Sequence, residues 1–502
     1  MASSFSSKLM FWPRWFWRTL TSMRTALVLL LMLALAAVPG SIVPQRSADP
    51  NGVRLYFDRD PALAETLDFF QLFDVYTSVW FSAIYILLFV SLVGCVVPRT
   101  SVHLRALRSE PVSTPANLAR MPVFVELKHS LNALEAAQKV LREFKYRQKL
   151  DGNSISAEKG YLKETGNLIF HFSLIGVLIA VGIGGGLSFS GQRVLVEGDG
   201  FVNNLASYDA FSPGVFFDES ALQPFALSLT KFEVVYDLTN AANIGQPIDF
   251  IASVSVKGEN LDLDSEIKVN YPLEVPGASV YLTGNGFAPV ITVRDQSGNV
   301  AFSGPVVFLP QDGNNTSLGV IKVPDASPEQ LGFVAFFYPT AEKLESGAYT
   351  SIYPDPLNPV LTMNLYTGDL GLDQGIPRNV YALDTTNMRE VASRTAANPP
   401  LFLEVGDTVQ LPENLGSVTF DGLKRYASLD IAYNPGGIWI LMFALLALAS
   451  VTVSLLVPRR RIWVKLTDEK IEVAALARSE DPKLGEVIAE FVEALEKEMA
   501  KS

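Results

Sequence analysis

One histidine is the residue in this sequence best placed to do chemistry. His171 lies near the start of Thr165–Gln192, an uncharged run of 28 residues. That run exceeds the roughly 20 residues that a helix needs to cross a bilayer. An ionisable side chain at membrane depth is costly and indicates a functional site, so His171 is the candidate ligand of a metal or cofactor. The alternative, a neutral imidazole bonded to a neighbouring helix backbone, stays open.

Four uncharged runs in the chain are long enough to span a membrane. They predict transmembrane helices at 25–45, 75–98, 165–189 and 431–458. The first run could also be a signal peptide, but it has no obvious cleavage site, and a retained span is preferred. Aromatic and basic residues over 11–17 are typical of a segment at the membrane interface. The sequence therefore predicts an integral membrane α-helical protein.

The distribution of charge predicts the orientation of these helices. Residues 1–24 carry four Lys and Arg, the loop 99–164 carries twelve, and the tail 459–502 carries nine. The short loop 46–74 has three basic and six acidic residues, and the large region 190–430 has 12 basic and 29 acidic residues. The positive-inside rule then places both termini in the cytoplasm and the large acidic region outside. An acidic surface argues against nucleic-acid binding.

The two predicted cytoplasmic segments have matching patterns. A strand at Val123–Leu127, a helix at Asn132–Phe144 and a hairpin over 146–158 are predicted in the loop. The tail repeats this pattern with strands at 461–466 and 470–473 and one apolar helical face from Leu484 to Leu495. Neither segment can bury its apolar face alone, so we predict that they form one small α/β domain together.

The large external region, 190–430, is predicted to be mostly β. Alternating or β-rich runs recur between Gly, Pro, Asn and Asp residues. These predicted strands are Ala226–Tyr236, Phe250–Val256, Ile267–Tyr271, Val290–Arg294, Val306–Leu309, Val334–Tyr338 and Ser417–Phe420. The region contains no histidine and no cysteine, which disfavours a Ser-His hydrolase or a His-ligated metal site there.

Two further features of the membrane segments have mainly structural interpretations. The single cysteine, Cys95, cannot form an intrachain disulfide and is interpreted as a small buried hydrophobe. Glycines of the third span, such as Gly176 and Gly182, are interpreted as sites of close helix packing. Phe170 and Phe172 flank His171 and are expected to point elsewhere on the helix.

Several stretches, in order along nearly the whole chain, resemble one family. They are Ser22–Ala26 with Pro39–Gln45, Asp74–Phe81 with Ser91–Cys95, Gly166–His171, Ile267–Leu273, Gly277–Tyr281 and Leu429–Gly436. In these stretches, and in its four spans with a large domain before the last, the chain resembles the ResB-type (CcsB-type) cytochrome c biogenesis proteins. These proteins are the membrane components of System II.

The resemblance implies a function at the plasma membrane. Such proteins act with a tryptophan-rich partner of the ResC or CcsA type to deliver haem outward and attach it to apocytochrome c. Haem b would be a transient substrate, and the family's intramembrane histidine, a proposed axial haem ligand, corresponds to His171. The chain has no Cys-x-x-Cys and no Trp-Trp-Asp motif, so thiol reduction would fall to a thioredoxin-like partner and further haem handling to the other subunit. The resemblance implies no catalytic residue in this chain.

Two other classes of function stay open. A membrane-anchored sensor or binding protein would use the external β domain and bind no haem. A transporter subunit would need a polar path, but four spans that contain one ionisable residue offer little of one.

Overall fold

The computed structural model describes residues 13–239, 245–372 and 380–501. Within these ranges the chain forms two compact units. The first comprises residues up to 185 together with those from 435 onward, and the second comprises residues 186–434. Residues 1–12 lie outside the described ranges, so the predicted interfacial segment 11–17 is described only in part.

Four helices in the described chain are long and apolar enough to cross a membrane, which confirms the predicted class. They are α1 (Met23–Ile42), α4 (Val79–Arg108), α6 (Leu162–Leu187) and α7 (Gly437–Leu456). Helix α4 continues past Pro98, where its uncharged run ends. Helix α7 begins at Gly437, because the first residues of its uncharged run complete a strand that ends at Tyr433.

The loop between the first two spans contains two helices that the sequence analysis did not predict. They are α2 (Pro50–Arg59) and α3 (Pro61–Phe69). Each begins with an Asp-Pro pair, in which the carboxylate of Asp49 or Asp60 accepts a backbone hydrogen bond from the first turn. An aspartate cap followed by proline is a strong helix start signal that was available in the sequence.

The two distant segments of the first unit form one α/β domain, as predicted. A five-stranded antiparallel sheet has the order β1-β24-β23-β3-β2, so the tail strands pair with strands of the loop on both sides. Helices α5 and α8 join the sheet in a common apolar core, which includes Leu141, Ile155, Val473 and Phe491. The elements are β1 (Val123–Lys128), α5 (Ala133–Glu143), β2 (Arg147–Asp151), β3 (Ser154–Lys159), β23 (Arg460–Leu466), β24 (Lys470–Ala477) and α8 (Leu484–Ala500).

The second unit is built around two long strands, β11 (Ala278–Arg294) and β22 (Ser417–Tyr433), which pair along their whole length. Their sheet covers two separate cores. One half, with Val280 and Leu429, packs in a core with Leu229 and Val254 of a four-stranded sheet. The other half, with Ile291 and Phe420, packs in a core with strands of a six-stranded sheet. The unit is therefore two sheet-on-sheet layers that share one pair of strands.

The other strands of this unit are shorter. Those of the shared sheet are β4 (Phe189–Val196), β6 (Ala210–Pro213), β10 (Leu273–Val275), β12 (Val300–Pro305) and β21 (Thr408–Gln410). The four-stranded sheet contains β5 (Gly200–Val202), β7 (Phe225–Tyr236), β8 (Pro247–Gly258) and β9 (Leu261–Lys268). The six-stranded sheet contains β13 (Leu309–Pro310), β14 (Ser317–Val323), β15 (Leu331–Tyr338), β18 (Val360–Gly368), β19 (Met388–Ala392) and β20 (Leu401–Glu404), and β16 (Ala341–Lys343) pairs with β17 (Tyr349–Ser351).

Most of the strands predicted for this unit are confirmed, and two need correction. Five of the seven predicted runs lie inside observed strands. The run Ile267–Tyr271 is wrong after Lys268, where the chain turns at Asn270 with φ +61°. The run Val306–Leu309 falls almost wholly between β12 and β13, although Phe308 forms an isolated bridge with Phe287.

Candidate functional site

His171 lies in the third turn of α6 and is half-buried. Its Nδ1 lies 2.7 Å from the backbone carbonyl oxygen of Asn167, one turn earlier in the same helix. A carbonyl only accepts, so Nδ1 carries a hydrogen, and in the neutral imidazole the lone pair is then on Nε2. Within the described part of the chain, Nε2 makes no hydrogen bond. The backbone bond therefore fixes the tautomer that leaves Nε2 able to act as a ligand.

A cavity of about 350 Å³ lies beside this imidazole, between α1, α4 and α6. Its lining residues recur every three or four positions on each helix, so each helix contributes one face. These residues are Met23, Ala26, Leu27 and Leu30 of α1, Leu88, Leu92, Cys95, Val96 and Arg99 of α4, and Asn167, Leu168, Phe170, His171, Leu174, Val177 and Leu178 of α6. The volume and the mostly apolar lining are typical of small-molecule sites.

Two contacts set the register of α4 against α6. The hydroxyl of Tyr85 donates to the carbonyl of Leu178, and the Nε2 of His103 lies 2.9 Å from the hydroxyl oxygen of Thr165. The helices are therefore antiparallel, and His171 lies at about the level of Cys95. Arg99 lies about one turn, or roughly 6 Å, beyond Cys95 towards the end of the cavity where α6 begins.

The other polar groups of the cavity differ in how they are paired. Cys95 is half-buried, and its thiol donates a hydrogen bond to the backbone carbonyl of Thr21 at 2.8 Å. Among the described residues, the guanidinium of Arg99 makes one hydrogen-bonding contact, with the Sδ of Met23 at 2.6 Å, and no ion pair with a carboxylate. A thioether is a weak acceptor, so most of the hydrogen-bonding capacity of Arg99 is left for another group.

The opposite face of α6 packs against α7. A Cβ at Gly176 would lie 2.6 Å from the ring of Phe443, and a Cβ at Gly166 would lie 2.7 Å from the carbonyl oxygen of Ser450. Close helix packing, the structural interpretation of the glycines, is therefore confirmed at Gly176. A Cβ at Gly182 would lie instead near Tyr85 of α4, at an ordinary contact distance of 3.6 Å. Gly166 and Gly176 therefore mark the face of α6 that packs on α7, and His171 lies on another face, which lines the cavity.

A buried ion cluster joins the start of α6 to the α/β domain. Glu158 accepts hydrogen bonds from Arg459, Arg461 and Tyr161, and the side chains of Glu158 and Arg459 are 4% and 5% exposed. Glu164, in the first turn of α6, pairs with Arg459 and with Arg478. Burial alone would raise the pKa of Glu158, but the tyrosine hydroxyl and the two guanidinium groups bring it below its ordinary value.

The turn that leads from this cluster into α6 requires glycine. Gly160 has φ +94°, and a Cβ there would lie 2.1 Å from the carbonyl oxygen of Pro458. Only glycine adopts this backbone conformation without strain and permits such a close approach. The cluster and this turn together fix the position of α6 relative to the α/β domain.

The structure corrects one expectation about the site and adds three residues. Phe170 does not point away, because its ring meets that of His171 edge to face at 5.1 Å and lines the same cavity. Phe172 is 45% exposed and does point elsewhere. Arg99, His103 and Met23 were not predicted from the sequence, although the three- and four-residue spacing on α4 was a usable signal for Arg99. No cluster of three potential metal-ligating side chains occurs in the described ranges.

Comparisons with known proteins identify the family. The model of the ResB-like family matches residues 23–489. The chain is 27% identical over 285 residues to the cytochrome c biogenesis protein CcsB of Picosynechococcus sp., covering 54% of this chain and 58% of that protein. It is 26% identical to the CcsB protein of Microcystis aeruginosa over 61% of this chain and 66% of that one, and 29% identical to that of Synechococcus sp. over 52% and 59%. The matched regions thus span about three fifths of each relative. Because the family model covers most of its length, the chain belongs to the ResB-like family.

Proposed function

We propose that this membrane protein is the ResB-type (CcsB-type) component of System II cytochrome c biogenesis. It acts with a ResC- or CcsA-type membrane partner, delivers haem across the membrane and assists covalent attachment of haem to apocytochrome c. Family membership and the names of the relatives support the pathway. The observation that carries the proposal for this chain is His171, which lines an apolar cavity between three membrane helices and whose Nδ1, not Nε2, is hydrogen-bonded to the backbone.

The cavity suits haem b as a transient substrate. A neutral imidazole nitrogen is an established axial ligand of haem iron. The hydrogen bond to Asn167 orients the ring and, in the neutral imidazole, selects the tautomer with its lone pair on Nε2. Apolar side chains such as Leu92 and Leu174 would contact the macrocycle, and Phe170 offers an aromatic edge beside the ligand. His171 thus binds and orients the substrate, and the bond-forming chemistry belongs to the complex.

The proposed orientation places both termini and the α/β domain in the cytoplasm and the acidic β-rich unit outside the plasma membrane. The excess of Lys and Arg in 99–164 and 459–502 supports it. In this orientation the Arg99 end of the cavity is the cytoplasmic end. Haem made in the cytoplasm would then enter near Arg99 and reach His171 about one turn further into the membrane.

The remaining tasks are assigned to partners. Cys95 is the single cysteine of the chain, and its thiol is bonded to a backbone carbonyl, so it does not serve dithiol exchange. We therefore assign reduction of the Cys-x-x-Cys-His site of apocytochrome c to a separate thioredoxin-like protein. The ResC- or CcsA-type subunit supplies the other haem-handling residues.

Two measurements test this function. Deleting the gene should abolish covalent haem in c-type cytochromes on a haem-stained gel and leave b-type cytochromes intact, because only thioether attachment depends on the complex. The chain purified with its membrane partner should show a haem Soret band. Normal c-type bands in the deletion strain would overturn the proposal, and a colourless complex would favour a membrane-anchored binding protein.

A further inference from the structure

We propose that Arg99 binds a haem propionate and thereby fixes which end of the haem enters the cavity between α1, α4 and α6. This inference rests on the proposed function, since it takes haem b as the occupant. It adds a second recognition group to the site, at a position on a different helix from His171.

The cavity and haem b match in their chemistry. The wall is apolar over most of its surface, and Arg99 is the one charged side chain among the lining residues in the described structure. Haem b has an apolar macrocycle, an iron that takes an axial nitrogen, and two carboxylates that project from one edge. His171 matches the iron, the leucines match the macrocycle, and a guanidinium matches a carboxylate with two parallel hydrogen bonds.

Arg99 also stands at a suitable position along the cavity. The register of α4 against α6 places Arg99 about one turn from the level of His171, roughly 6 Å along the helix axis. A ring ligated by His171 Nε2 and lying within the cavity can direct its carboxylate edge towards the rim where Arg99 stands. Leu88, on the same face of α4, lies at the other end, so the cavity has one charged and one apolar end.

Arg99 differs from several other arginines in having no carboxylate partner among the described residues. Arg459 and Arg461 are held by Glu158, and Arg46 is held by Asp68 and Asp74. Arg99 contacts only the Met23 sulfur, and its side chain is exposed at the rim. A cation at a membrane helix end can extend to the interface, where it remains available to an anion. A haem propionate supplies that anion.

The test compares two ligands on one protein. The full-length chain in nanodiscs is titrated with haem and with haem dimethyl ester, whose carboxylates are blocked, and the Soret band gives each affinity. We expect Arg99→Gln to weaken haem binding by roughly 10- to 100-fold, the usual cost of losing a hydrogen bond to a charged group. The same variant should bind the ester as the wild type does, which also shows that its cavity is intact. Arg99→Lys should lie between the two because it keeps the charge but not the bidentate geometry.

The outcomes separate the two proposals. If the wild-type chain binds neither ligand, the chain alone does not hold haem in this cavity and both proposals for the cavity fail. If the wild type binds both ligands and Arg99→Gln weakens both equally, or neither, haem binding stands and the propionate contact is wrong. A lipid phosphate is the other anion of the bilayer. If Arg99→Gln reduces co-purifying phosphatidylglycerol and leaves haem affinity unchanged, Arg99 holds a lipid and the inference is overturned.

Discussion

Two histidines on facing membrane helices are used in opposite ways. His103 of α4 is 8% exposed, and its Nε2 is bonded to Thr165 of α6. His171 of α6 has its Nδ1 hydrogen-bonded to its own helix, and the residue lines the cavity. An imidazole whose Nε2 is hydrogen-bonded to a neighbouring helix holds two helices together. An imidazole whose Nδ1 is hydrogen-bonded to its own helix backbone has Nε2 available for a ligand.

The same contrast extends to the charged groups around these histidines. Near His103, at the start of α6, the arginines of the buried ion cluster form ion pairs with its glutamates. The cluster consists of Glu158, Glu164, Arg459 and Arg461. Beside His171, the Arg99 guanidinium has only a sulfur contact. Paired polar groups indicate structure, and polar groups with spare capacity next to an apolar cavity indicate a site for a ligand. The predictions below test whether the two regions separate in this way.

The largest effect is expected from His171→Ala. Removing the ligand should lower the haem content of the purified complex by at least about tenfold, because even changes behind a metal ligand cost 10- to 100-fold in affinity. The substitution to alanine leaves space for a free imidazole molecule. Added imidazole should therefore restore part of the Soret band and part of cytochrome maturation.

Phe172→Ala is the matched control for that variant. Phe172 is the next residue of α6 and is exposed rather than turned into the cavity. The haem content of the Phe172→Ala complex should stay close to that of the wild type, and the protein levels should be equal. If His171→Ala retains a normal spectrum, or if imidazole restores nothing while the thermal midpoint falls, His171 is structural and the contrast with His103 collapses.

The second effect concerns stability. Glu158→Ala leaves Arg459 and Arg461 without their shared carboxylate in a buried site. Breaking a buried ion pair from one side typically costs about 3–5 kcal/mol. We expect the free energy of opening of β23 and β24, measured by amide hydrogen exchange on the full complex, to fall by that amount. Haem bound per folded protein should not change.

Glu493→Ala provides the control for that measurement. Glu493 pairs with Lys497 on the exposed surface of α8, in the same domain. Exposed pairs contribute little, so exchange in β23 and β24 should match the wild type. A similar loss in both variants would show that the buried cluster has no special role.

The third prediction is a pH dependence of the same domain. The folded-state pKa of Glu158 lies below its ordinary value of 4.5, although burial alone would raise it, because Tyr161 and two arginines stabilise its carboxylate. The stabilisation is therefore fully present above pH 4.5 and is lost as the pH falls through the lowered pKa. The free energy of opening of β3 and β23, calculated from hydrogen exchange after correction for the intrinsic exchange rate at each pH, should be constant from neutral pH to about 5. It should fall at lower pH. Glu158→Gln should have a lower free energy of opening than the wild type at pH 7, and that free energy should change less as the pH falls. A parallel decline in both proteins would exclude Glu158 as the cause.

How much of this could be predicted from the sequence differs between the regions. The α/β domain was predicted because each of its segments shows period-2 or helical patterning, and both had apolar faces to bury. The spans followed from composition alone. The two sheet-on-sheet layers that share β11 and β22 were not predicted, since the pairing of these strands joins residues more than 100 positions apart. His171 was selected as the candidate from its lone position and stays a prediction. The residues that line the cavity beside it were not predicted, because the cavity depends on the rotation of three helices about their axes.

The smallest effect is expected from the other histidine. His103→Ala removes one hydrogen bond between α4 and α6, and such bonds between membrane helices average about 0.6 kcal/mol and seldom exceed about 2. The thermal midpoint of the complex should fall by a few degrees at most. Haem content and the Soret position should stay unchanged, since His103 does not line the cavity.

A double-mutant cycle with Thr165→Ala isolates this bond. Thr165 also donates to the carbonyl of Tyr161, so its single variant carries a second, local cost. If the bond to His103 is what each variant loses, the double variant should be less destabilised than the sum of the two single variants, with a coupling close to the cost of one hydrogen bond. Additive effects would show that the bond does not hold the helices. A drop in haem content in His103→Ala at unchanged stability would place His103 in the haem site and erase the contrast with His171.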